Sequence, residues 1–71
     1  MVLDDVREGT RVRLLSMPND PFPVPTGTEG EVLGTTRFHD GKTQIAMRWD
    51  NGRSLAMIVP EDTFEIIGQP S

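Results

Sequence analysis

Cysteine and tyrosine are absent from this 71-residue sequence, histidine and tryptophan occur once each, and no apolar run approaches the length that crosses a bilayer. Without cysteine there can be neither disulfides nor thiolate metal sites, and one histidine leaves too few ligands for a structural zinc. No cofactor is expected. Basic charge is also scarce, with seven Lys and Arg against eleven Asp and Glu and a net charge of −4. Non-specific nucleic-acid binding needs a basic surface that releases counterions, so the balance disfavours it. The chain begins with Met1 and has no signal-like segment, so a complete, single-domain, cytoplasmic protein without membrane contact is expected. Domains this small are marginally stable, which makes a monomer or a weak homo-oligomer the expected state.

What is present is a hairpin. Gln44 to Val59 alternates apolar and polar residues on both sides of Asp50-Asn51-Gly52. A two-residue loop at Asn51-Gly52 would set Met47 against Ala56 and scatter the apolar residues over both faces. A three-residue loop with Gly52 in the left-handed region pairs Trp49 with Arg53, Met47 with Leu55, and Ile45 with Met57. Because a one-residue slip turns every side chain over, burial selects the three-residue loop.

The remaining segments read as strands around that hairpin. Met1–Glu8 is a lead-in. Thr10–Leu15 is a strand with Val12 and Leu14 inward and Arg11 and Arg13 outward. Pro18, Pro21, Pro23 and Pro25 then impose a stiff, irregular loop up to Gly27. Thr28–Thr36 is the second strand; Gly30 and Gly34 suggest a close backbone approach or a corner, and because Val32 and Leu33 lie on opposite faces, burying both would need a bulge near Gly34. Arg37–Lys42 is a turn in which Asp40-Gly41 supplies the positive φ. After Pro60, Glu61-Asp62-Thr63 forms one turn of 3₁₀ helix, Phe64–Ile67 a last strand, and 68–71 a tail. The expected architecture is all-β: a five-stranded SH3-like barrel of order 5-1-2-3-4. Arg11 and Arg13 would meet Glu29 and Glu31 across strands, with Arg48 alongside.

Between Gly9 and Ile67 the chain resembles a family of small bacterial and phage domains of unknown function with an SH3-like fold. The likeness is carried by Gly9-x-Arg11-Val12-x-Leu14, Met17 with Asp20-Pro21, Pro25-x-Gly27-Thr28-x-Gly30-x-Val32, Trp49-Asp50-Asn51-Gly52-x-Ser54-Leu55, and Pro60 through Phe64. Thr35–Lys42 is longer than the family's second turn, and Pro60-Glu61-Asp62 is shorter than its equivalent. The resemblance implies no reaction, cofactor or catalytic residue.

The residues themselves offer little for catalysis. There is no Ser/His/acid spacing, His39-Asp40 reads as an exposed turn, and the pairs Asp4-Asp5 and Glu61-Asp62 read as solvated charges. A non-catalytic binding module that engages a protein partner is the leading expectation. Its surface is placed at Met17–Thr26 with the adjacent barrel edge, and its candidate residues are Met17, Phe22, Val24 and Trp49. Trp49 is expected as a core plug whose indole N–H finds a carbonyl, the alternative being an anchor at the barrel mouth. Phe22 either caps the core or faces a partner. Two alternatives remain: a nucleic-acid-associated barrel using Arg37, Lys42, Arg48 and Arg53 at one end, and a phage-type acidic decoy of nucleic acid.

Overall fold

The computed structural model describes residues 6–69; residues 1–5 of the lead-in and 70–71 of the tail lie outside the described residues. Five strands, β1 (Arg11–Ser16), β2 (Glu29–Arg37), β3 (Thr43–Trp49), β4 (Met57–Val59) and β5 (Thr63–Gly68), form one antiparallel sheet of order β4-β3-β2-β1-β5. The strand order is the one expected. No ladder joins β4 to β5, so the sheet is open, with those two strands as its edges.

The inner face carries Val12, Leu14, Val32, Ile45, Met47, Trp49, Met57, Val59 and Phe64, all buried. Val6, Met17 and Val24 close over them from outside the strands. Gly30 stands opposite Trp49, and a Cβ there would come within 2.8 Å of the indole and 2.9 Å of the Arg48 carbonyl. Its glycine is therefore a close approach of backbones. Gly34 has open space where its Cβ would be and instead follows a bulge.

That bulge falls where expected but does not bury Leu33. Val32 pairs with Met47 and Gly34 with Ala46, which leaves Leu33 as the unpaired extra residue, 44% exposed. Leu15 in β1 and Ile67 in β5 are extra residues in the same sense, and both are exposed. Leu33 and Leu15 directly follow the buried Val32 and Leu14, so strand alternation already turns them outward and the bulges do not turn them back.

The hairpin has the three-residue loop. Trp49 N–H donates to the Arg53 carbonyl (2.9 Å), Gly52 N–H to the Trp49 carbonyl (3.0 Å), and Gly52 has φ +90°. Ile45 faces Met57 as the register requires. The second arm joins the ladder later than expected, at Met57, with Arg53–Ala56 outside it. The Leu55 carbonyl, which a continuous ladder would turn to Met47, accepts the Trp49 indole N–H at 2.8 Å.

The expected 3₁₀ turn is not formed, and among the described residues there is no helix. Around the cis Val59–Pro60 bond the chain turns back so that Asp62 bonds Ile58 twice: Asp62 N–H donates to the Ile58 carbonyl, and Ile58 N–H donates to Asp62 Oδ2, each at 2.8 Å. A backbone bond spanning four residues, backed by the Asp62 carboxylate, takes the place of the three-residue bond of a 3₁₀ turn.

Candidate functional site

The loop from Met17 to Thr28 is long, proline-rich and pinned along its length. Met17 (6% exposed) and Val24 (2%) insert into the core. Gly27 N–H donates to the Leu14 carbonyl (2.8 Å), and Thr28 donates to the Pro25 carbonyl through both its N–H (3.1 Å) and its hydroxyl (2.7 Å). Asp20 folds back to accept Phe22 N–H at 2.8 Å, the side-chain turn that aspartate favours before proline. From the hairpin, Arg53 Nη1 reaches the Pro23 carbonyl at 3.3 Å. Between these anchors Phe22 projects outward with 76% of its surface exposed, the most exposed large apolar residue described.

The four candidate residues therefore separate. Phe22 is at the surface, while Met17, Val24 and Trp49 are core residues. A side chain under 10% exposed offers a partner almost no area, so these three hold the loop and fill the inner face of the sheet rather than line a surface. The sequence marked the loop correctly as a unit but could not divide it. Proline spacing gives stiffness, and the alternation that sorts strand residues into faces is absent there.

Beside Phe22's loop lies a shallow depression of about 250 Å³ between Asn19 and Asp20 on one side and Ile58, Glu61 and Asp62 on the other, with Lys42 and Ala56 at its margins. Lys42 Nζ pairs with Glu61 at 3.4 Å. Asp62 is nearly buried, and that burial pushes its carboxyl up; the Ile58 N–H opposes the shift, and Asp20 and Glu61 reinforce it. Sequence reading took Glu61-Asp62 as two solvated charges. The Asp62 half of that is corrected, since its backbone and side chain both close on β4.

The four basic residues are not brought together. Arg37 and Lys42 lie at the β2–β3 turn, whereas Arg48 and Arg53 lie at the other end of β3, about 17 Å away at strand rise. Arg48 is bonded to Glu31 at 2.9 Å. His39 and Asp40 sit exposed on their turn, where Asp40 accepts Lys42 N–H at 3.1 Å and Gly41 takes φ +86°. Asp4-Asp5 lies outside the described residues.

An open, five-stranded, all-β domain with one presented aromatic loop is the class these features define. Residues 2–67 match the model of the family described as "Domain of unknown function (DUF4314)", and the chain belongs to that family. No curated protein and no solved structure matches it.

Proposed function

We propose that this chain is a non-catalytic, SH3-like binding module whose recognition surface is the first loop, with Phe22 as its anchor and a protein as its partner. The strand order, the long first loop and the tight β3–β4 turn support the SH3-like reading, with an open sheet in place of a sealed barrel. One observation carries the binding reading: a large aromatic, 76% exposed, on a loop held down on either side by the buried Met17 and Val24. A loop pinned by Met17, Val24 and five hydrogen bonds loses little conformational entropy on docking. Its single large apolar side chain then supplies an anchor of the kind that dominates interfaces. The family's bacterial and phage setting, implied by resemblance, fits a small cytoplasmic accessory protein.

The test is Phe22→Ala in the intact chain. Thermal and denaturant midpoints should stay where they are, while capture of a protein partner from host lysate, with nuclease present, should be lost. A fall in stability of about 3 kcal/mol with capture retained would make Phe22 a lid of the core and overturn the assignment.

A further inference from the structure

The β3–β4 register decides which backbone groups of the hairpin's second arm face outward. Met57 and Val59 pair with Ile45 and Thr43, and Trp49 N–H bonds the Arg53 carbonyl, so odd-numbered residues of the arm turn toward β3. Ile58 turns away from β3, and Ser54 and Ala56, which precede it outside the ladder, share its parity. At Ile58 that outward pair is closed by Asp62, which supplies both an acceptor and a donor. At Ser54 and Ala56 nothing equivalent occurs: among the described residues their backbone groups meet no protein partner.

Alongside them runs an open groove. Leu55, Ala56 and Ile58 give it an apolar floor, Asp20 of the first loop stands on its far side, and past Asp20 it continues to Glu61 and Asp62. Its cations are engaged, Lys42 with Glu61 and Arg53 with the Pro23 carbonyl. Asp20 accepts Phe22 N–H but has no cationic partner among the described residues. The groove thus combines free backbone donors and acceptors two residues apart, an apolar floor and an unneutralised carboxylate.

From this we infer that the groove takes an extended segment of a protein partner as an added strand along Ser54–Ala56, with a lysine or arginine of that segment over Asp20. The inference rests on the protein-binding reading above and names what its partner offers. Free backbone groups at every second residue match the repeat of a strand, so main-chain bonds give affinity and the charge gives preference. The partner segment contributes to the open sheet a strand that β5 cannot, because β5 sits at the opposite edge.

The probes are the pentapeptide acetyl-Val-Thr-Lys-Thr-Val-amide and its counterpart with Glu in place of Lys, titrated into the ¹⁵N-labelled full chain up to about 5 mM, a range that detects even weak binding. The Lys peptide should shift the amides of Ser54, Ala56 and Asp20 and bind at least about fivefold tighter than the Glu peptide, a gap that closes in high salt. Asp20→Asn, which keeps the acceptor for Phe22 N–H, should abolish the preference while both peptides still shift Ser54 and Ala56. No shift at those amides, or equal binding of the two peptides to the unsubstituted chain, overturns the inference. Repeating the titration with Phe22→Ala keeps the two readings apart. Peptide binding that survives in a variant unable to capture partner supports both, and loss of lysate capture without any groove shift sinks the strand-addition proposal alone.

Discussion

The two faces of this sheet are built from the same strands on opposite principles. Inward, side chains interdigitate so closely that one added methyl at Gly30 would overlap the Trp49 ring. Outward, Arg13 joins Glu29 (3.0 Å) and Glu65 (2.6 Å), Arg11 clasps Asp50 through both nitrogens (2.5 and 3.0 Å), and Arg48 joins Glu31, so ion pairs lace every strand except β4. All of these pairs are solvent-exposed or half so. Exposed ion pairs gain little, because the dielectric is high and long side chains must be ordered to form them. The difference teaches that stability resides on one face, leaving the other free to be rearranged by substitution.

Gly30→Ala tests the inner face most severely. It should lower stability by roughly 2–3 kcal/mol, because the indole or the backbone of β3 must move, and chemical denaturation measures it. A neutral result would mean the inner face is looser than its contacts indicate.

Asp62→Ala comes next, at about 2 kcal/mol, since it strands the Ile58 N–H at a nearly buried position. The pH dependence of this residue runs opposite to that of Asp50. Arg11 holds Asp50 below the ordinary aspartate range, so its contribution is present above that range and disappears as pH falls through the lowered folded value. Asp62 is pushed up by burial, so the folded state favours its proton; the resulting stabilisation is complete below the ordinary range and is lost as pH rises through the raised value. Carboxyl ¹³C titration should find Asp62 titrating above Asp50, and the reverse order would refute both environments.

Gly52→Ala should cost about 1 kcal/mol through its left-handed backbone alone, because its Cβ position is open space. On the outer face Arg13→Ala should have the smallest effect of the series, shrinking further in high salt. An Arg13 substitution as damaging as Gly30→Ala would break the contrast between faces.

Much of this was legible beforehand, for reasons that can be named. The hairpin register followed from one constraint, that Ile45, Met47 and Trp49 share a face with Met57, and a single slip would have put Met57 on the opposite face from the other three. The Arg11, Arg13 and Glu29 pairs followed from strand alternation, although Asp50 and Glu65 were missed as partners because one comes from a turn and the other from a strand 52 residues away in sequence from Arg13. Val32 and Leu33 lie on opposite faces, as alternation requires, and the bulge that burying both would need is present yet leaves Leu33 outside. Asp62 was misjudged because nothing in Pro-Glu-Asp-Thr indicates that a carboxylate will fold back on the preceding strand.

By itself the sequence determined the strand set and order, the hairpin loop, the glycine left-handed turns and the stiff first loop, since each depends on periodicity or on backbone chemistry within a few residues. Only the tertiary structure decided that Phe22 faces outward while Met17 and Val24 face in, that the sheet stays open, and that Asp62 closes one part of an edge and leaves Ser54 and Ala56 free. Those outcomes depend on which surfaces distant segments have already filled. A loop without alternation, and an edge without a partner strand, carry no local signal of that.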